Sequence, residues 1–229
     1  MGERSRGGLV VGVVVGLFGA AAMAADTAAP PVEARSRIVV HAYDRAHLPP
    51  GALAAAGRQV STILGKAGLE VTWRDRSNCA RPDQRTADCG EPVEATDLVL
   101  MIRSRADAPA SVPCSAMGLA LLPPEGGTGT QASVFLDDVS RLARDGRASV
   151  AQILGHAAAH EIGHLLLGTH AHSPGGIMRA VWTKKDLDSA AWGRLTFTPE
   201  QGARISAEAA SRQRMRDPRH GPAPEEPVV

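Results

Sequence analysis

Apolar residues along the chain follow two different periods, one typical of strands and one typical of helices. From Leu53 to Ala67 they recur at helical spacing, and β-rich stretches lie on both sides of this segment. Three further short β-rich stretches follow. The predicted strands are Arg37 to Tyr43, Leu69 to Trp73, Asp97 to Ile102, Ala116 to Leu122 and Ala132 to Leu136. The pattern therefore predicts a sheet of about five strands, with a helix after the first strand.

Two more helices are predicted from their end signals. Ser149 to Gln152 has the form of a capping box, and Gly168 is a natural helix stop. Apolar residues cover most of the circumference between these ends, which predicts a buried helix. Thr198 to Gln201 forms another capping box, which predicts a closing helix that runs to about Met215.

The N-terminus has the pattern of a secretory signal peptide. Arg4 and Arg6 precede an apolar run from Leu9 to Ala22, and the small residues around Ala24 suit cleavage. We expect residues 1–24 to be this signal, 25–36 a linker, 37–215 one domain and 216–229 a disordered tail. The protein is then secreted or periplasmic. An uncleaved anchor is the alternative, and no later segment is expected to span a membrane.

Net charge and aromatic content limit the classes of partner that we expect. The net charge is +1 and aromatic residues make up 3% of the chain, without a basic stripe. Nucleic acid is therefore not expected as a partner, and we expect a monomer.

Three cysteines in an exported chain suggest a disulfide. Cys79 and Cys89 flank a polar loop and are predicted to pair, which leaves Cys114 buried and free, unless it pairs with one of them.

The buried helix carries the chain's most informative residues, His160, Glu161 and His164. Histidines four residues apart lie on one helix face, so both imidazoles can bind one zinc ion. Glu161 is then beside the metal, where it can act as a general base. Two histidines and a glutamate are costly to bury without partners, and Zn²⁺ ligation satisfies all three. The third ligand must come from beyond Gly168, where both His170 and His172 are available.

With these residues the chain resembles the metzincin branch of the zincin metallopeptidases, whose pattern is HExxHxxGxxH followed by a methionine turn. His160, Glu161 and His164 match directly, and His170 has the spacing of the third histidine. The expected glycine falls on Leu167, so Gly168 is one residue late. The continuation to Met178 also resembles small secreted bacterial zincin-like proteins with an HSxxGIM segment.

The second resemblance favours His172, followed by serine, as the third ligand, with His170 as the alternative. The spare histidine is then either an exposed turn residue or a donor to a reacting oxygen. Met178 is expected to form an apolar floor beneath the histidines.

The resemblance implies an α+β, zincin-like fold with a twisted mixed sheet of about five strands. A long helix and the zinc-binding helix back the sheet, and a C-terminal helix closes the domain. The strand Ala116 to Leu122 is implied to be an antiparallel edge strand that lines the cleft and pairs with an extended substrate.

The implied activity is zinc-dependent hydrolysis of a peptide or protein substrate, with Glu161 as the base. Two alternatives stay open at this point. One is an inactive secreted zinc-binding module, which the displaced glycine favours. The other is hydrolysis of a different amide or of an ester, which the same metal and base could perform.

Overall fold

A computed structural model of the protein describes residues 1, 35–79, 83, 85–114 and 116–217. The expected signal peptide beyond residue 1, nearly all of the linker and most of the expected tail lie outside these residues. The described residues from 35 onward belong to one compact unit. In the described part of the chain, no helix is both long and apolar enough to cross a membrane.

A five-stranded mixed sheet forms the centre of this unit, in the order β2-β1-β3-β5-β4. The strands are β1 (Ser36–Asp44), β2 (Leu69–Asp75), β3 (Leu98–Arg103), β4 (Gly118–Leu121) and β5 (Gln131–Phe135). Four strands are parallel, and β4 lies antiparallel to β5 at one edge, with Gly118 opposite Val134. The predicted mixed sheet is therefore confirmed, and so is the antiparallel edge position of β4.

Five helices accompany the sheet in the described residues, so the predicted α+β class is confirmed. They are α1 (Ala52–Lys66), α2 (Leu136–Asp145), α3 (Val150–Leu167), α4 (Lys184–Ala191) and α5 (Pro199–Arg216). α1 packs against α3 and β2, while α3 also packs against β4 and β5. α3 is buried from Ile153 to Leu167, as its apolar circumference predicts.

Two of these helices, α2 and α4, were not predicted. α2 begins directly where β5 ends, so no turn residue separates the two elements, and only Asp138 and Val139 of α2 are buried. α4 begins at a capping box in which Thr183 is paired with Asp186 instead of Glu or Gln. α4 is short and polar, and few apolar residues mark it in the sequence. α2 does carry apolar residues at helical spacing, but it follows β5 without a break, so the preceding predicted strand includes its first residue, Leu136.

The disulfide between Cys79 and Cys89 is present, as predicted. Cys114 is free, but the expectation that it is buried is wrong, because the residue is exposed. The disulfide closes a loop after β2, and Arg76 joins this loop to the sheet. The guanidinium of Arg76 donates to the carbonyl oxygen of Glu91 and, through Nε, to Nδ1 of His41 at 3.0 Å.

His41 lies in β1 and is completely buried. Its Nε2 is 2.8 Å from Oδ2 of Asp97, which is 2% exposed, and Nη2 of Arg216 lies 2.7 Å from the other carboxylate oxygen. Because Arg76 donates to Nδ1, the His41 proton is on Nε2 and is donated to Asp97. Every ring nitrogen of this buried histidine therefore has a partner within the protein.

Candidate metal centre

α3 places His160 and His164 one turn apart in the interior of the domain. The helix begins with a capping box in which Ser149 and Gln152 exchange hydrogen bonds, and it ends at Gly168. Gly168 has a φ of 64°, the left-handed conformation that glycine adopts without strain. The side chains of both histidines thus project from one helix face, and the two residues are only 5% and 4% exposed.

Each of the two histidines donates its Nδ1 proton to a backbone carbonyl. His160 Nδ1 lies 2.7 Å from the oxygen of Ile177, and His164 Nδ1 lies 2.7 Å from the oxygen of Thr169. A carbonyl oxygen only accepts, so both Nε2 atoms carry lone pairs. These two Nε2 atoms are 3.0 Å apart. Two lone pairs that face each other in the interior repel, unless a cation lies between them.

The electrostatics keep both rings in the form that binds metals. Burial lowers the pKa of His160 to about 3 and that of His164 to about 4, and each carbonyl bond opposes the shift. Both imidazoles are therefore neutral at ordinary pH. Tetrahedral zinc with Zn–N bonds of 2.0–2.1 Å separates two nitrogens by about 3.3 Å, close to the observed spacing. The pair thus fits a zinc ion without rearrangement of the helix.

His172 completes the group from the loop that follows α3. Its ring centroid lies 5.3 Å from that of His160 and 4.9 Å from that of His164. One ligand atom from each of the three histidines falls within 4.8 Å of the other two. His170 lies further out, with its ring 6.2 Å from His164, and does not belong to this group. The structure therefore brings His172 to the pair and leaves His170 beside it.

The loop that carries His172 returns beneath the helix and is fastened there. Ser173 donates its N–H to the oxygen of Met178 at 2.9 Å. Met178 is buried against α3 at Gly163, where an added Cβ would lie 2.6 Å from its sulfur and 2.7 Å from Phe197 Cε1. Gly163 thus leaves room for Met178 against the helix that carries both histidines.

Glu161 points into the same cleft from the buried side of α3. It is 6% exposed, and burial raises its pKa to about 8. A bound dication acts in the opposite direction, because a nearby positive charge favours the carboxylate. Burial and a bound cation therefore act on the proton affinity of Glu161 in opposite directions, which suits a group that takes up and releases a proton.

The edge strand β4 passes immediately over Glu161. A Cβ added at Gly118 would lie 2.6 Å from both Cγ and Oε1 of Glu161. The cleft between this strand and α3 has a volume of about 400 Å³. Apart from Glu161 and the histidines, the described residues of its lining are uncharged. They are Ser111, Val112, Pro113, Ala116, Met117, Gly118, Leu119, Ala120, Ala180 and Val181.

Comparison with known proteins adds one structural likeness. No protein-family model matches the chain, and no curated protein matches it. Among solved structures, the fold is similar to that of archaemetzincin from Methanopyrus kandleri. The TM-score is 0.48 and the sequence identity 16%, over 78% of this chain and 99% of the other.

Sequence reasoning missed several parts of the site. Trp182 is buried 6.1 Å from the ring of His160, and its indole N–H donates to the same Ile177 oxygen as His160 at 3.0 Å. The carbonyls of Ile177 and Thr169 carry no side-chain signal at all. Gly118 could have been noticed only as a glycine within a predicted strand, a sign of close approach by another group.

Proposed function

We propose that the protein is an exported zinc-dependent peptidase in which His160, His164 and His172 hold the metal. One observation carries this proposal: two buried Nε2 atoms face each other at 3.0 Å, with both Nδ1 protons already committed to carbonyls. His172 lies on the open side of this pair. Three imidazoles are a donor set that zinc prefers in catalytic sites.

Zinc in such a site polarises a carbonyl oxygen and makes water more acidic. Glu161 accepts a proton from the attacking water and passes it to the leaving amine. The cleft that α3 and β4 form excludes bulk water from one side of the reaction. Because β4 is an edge strand, its free backbone groups can pair with an extended peptide, and we propose a peptide or protein substrate.

Two features favour hydrolysis over a purely structural zinc site. A structural site closes the fourth position with a further protein ligand, whereas His170 lies outside the three-histidine group. A structural site also has no use for a buried carboxyl beside the metal, yet Glu161 is buried there. Export is supported by the N-terminal sequence and by the disulfide, since disulfides persist in oxidising compartments.

Substitution of Glu161 by Gln tests the proposed role of this residue. The amide keeps the shape of the side chain but cannot accept the proton, so peptide cleavage should fall by roughly 10²–10⁴-fold. The measurement is cleavage of a mixed peptide library by both forms, with and without a chelator, alongside the zinc content of each. Cleavage by the variant at the wild-type rate would contradict the role of Glu161. Cleavage that survives chelation would contradict the role of zinc.

A further inference from the structure

The cleft has a second wall that no sequence motif marks. We define the wall segment as residues 109–114 and 116–117, which connect the region after β3 to β4. Ser111, Val112, Pro113, Ala116 and Met117 of this segment line the cleft opposite the histidines. The segment contains no regular helix or strand in its described residues. Its position must therefore be set by bonds to the rest of the domain.

Two of those bonds come from one side chain. Arg105 donates from Nη2 to the carbonyl oxygen of Pro113 and, at 3.2 Å, from Nη1 to that of Ala116. Among the described residues, these are the hydrogen bonds that join residues 109–116 to the body of the domain. Met117, the last residue of the segment, is fixed to the sheet by the N–H of Phe135 at 2.8 Å.

Arg105 is itself held on three sides. Its guanidinium lies over the ring of Phe135, with Cζ 4.8 Å from the ring centroid. Nε lies 3.5 Å from Oδ2 of Asp138, a residue of α2 that is 5% exposed. The backbone N–H of Arg105 donates to Asp137 at 2.6 Å. A planar cation clamped in this way loses little further freedom when it binds two carbonyls.

We propose that Arg105 is a positioning residue for substrate binding, because its guanidinium fixes the cleft wall by bridging the carbonyls of Pro113 and Ala116. This inference rests on the proposed function only as regards what the cleft binds. Arg105 does not belong to the cleft lining, and it acts through the wall and not on the reacting atoms.

The wall also governs the start of β4. Gly118 follows the wall segment directly and lies against Glu161. Loss of the Arg105 bridge should therefore loosen the wall and the entry to β4, while the three histidines, held by α3 and its following loop, stay in place. Substrate binding should suffer more than the chemical step.

Kinetics of two variants and a control test this inference. In Arg105→Ala we expect the KM for a cleaved peptide to rise by about tenfold, with kcat changed by less than about threefold. Bound zinc should be unchanged. Arg105→Lys should show a smaller rise, because an ammonium cannot match the fork of a guanidinium. Arg141 also pairs with Asp138 but does not bond the wall, so Arg141→Ala should leave KM unchanged.

A second measurement does not depend on activity. Cys114 is the single thiol outside the disulfide, is exposed, and lies between Pro113 and Ala116. A nitroxide label on Cys114 reports the motion of the wall through its spectral line width. We expect narrower lines, and thus faster motion, in Arg105→Ala than in the wild type, and no change in Arg141→Ala.

The outcomes separate the two proposals. Unchanged line widths and unchanged KM in a folded Arg105→Ala protein overturn the positioning role, and a lowered melting temperature alone does not support it. Should that variant not fold, Arg105→Lys decides in the same way. If the wild-type protein cleaves no peptide, the proposed function fails, while the label still decides whether Arg105 holds the wall.

Discussion

His41 forms one group of buried histidine in this domain, and His160 with His164 forms another. The ring nitrogens of the two groups have different partners. His41 has a donor at one ring nitrogen and an acceptor at the other, from Arg76 and Asp97. His160 and His164 each have one nitrogen bonded to a carbonyl and the other facing its neighbour. The first group is complete within the protein, whereas the second needs a cation to be complete.

The difference shows that burial of a histidine does not by itself indicate a metal site. His41 is more deeply buried than either helix histidine. What distinguishes the candidate site is the direction of the lone pairs: two acceptors converge on one point, and a third histidine is nearby. The comparison also predicts that the two groups respond differently to metal and to substitution.

The largest expected effect is stabilisation by zinc. A ligand that binds only the folded state at 1,000 times its Kd adds about 4 kcal/mol to the free energy of unfolding. We expect zinc to raise the melting temperature and a chelator to reverse this. His172→Ala should abolish most of the effect, whereas His170→Ala should keep it. Equal zinc affinities in the two variants would show that we have assigned the third ligand wrongly.

Asp97→Asn should destabilise the protein without touching the metal site. Removal of one charge from a buried, paired group typically costs about 3–5 kcal/mol, since the remaining charges lose their partner. Chemical denaturation measures this loss, and zinc content should stay at the wild-type level. Glu70→Gln is the matched control, because the Glu70 ion pair with Arg37 is exposed and should contribute little. A zinc loss in Asp97→Asn would mean that the two groups are coupled.

Gly118→Ala gives the smallest effect of the three. The new methyl group would lie 2.6 Å from Cγ and Oε1 of Glu161 and also 2.6 Å from the backbone oxygen of Ser133, so both the carboxyl and the local backbone of β4 must shift. We expect kcat to fall by about tenfold, a loss of roughly 1.4 kcal/mol in transition-state stabilisation, with zinc retained. Gly65→Ala serves as the control, since a Cβ there meets nothing within 4 Å. A kcat equal to that of the wild type would indicate that Glu161 tolerates displacement.

The parts that could be predicted from sequence are those that local chemistry specifies. The ends of α3 depend on Ser149, Gln152 and Gly168, and all three act within a few residues of their own position. The spacing of His160 and His164 fixes their common face for the same reason. The pairing of Cys79 with Cys89 was predictable for a similar reason, because the two cysteines flank one short polar loop. The expected domain limits and the roles of the site residues remain predictions.

The parts that could not be predicted depend on contacts between distant segments. Glu161 meets Gly118 only because β4 joins the sheet beside α3. The sequence spacing does not decide between His170 and His172, because the loop after Gly168 could bring either one back to the two helix histidines. Its actual path is set by Ser173, Met178 and Gly163, whose packing has no counterpart in the motif. Arg105 is likewise an ordinary arginine in sequence.

The shared carbonyl of Ile177 gives the candidate metal site an expected optical signal. This oxygen accepts hydrogen bonds from both the His160 ring and the Trp182 indole, and the two rings lie edge to face. A cation bound to the imidazole of His160 should therefore change the hydrogen bond that the indole of Trp182 donates to the same oxygen. Of the other two tryptophans, Trp73 lies on the far edge strand and Trp192 is 65% exposed. Trp182 fluorescence should thus follow metal occupancy directly, without any added dye.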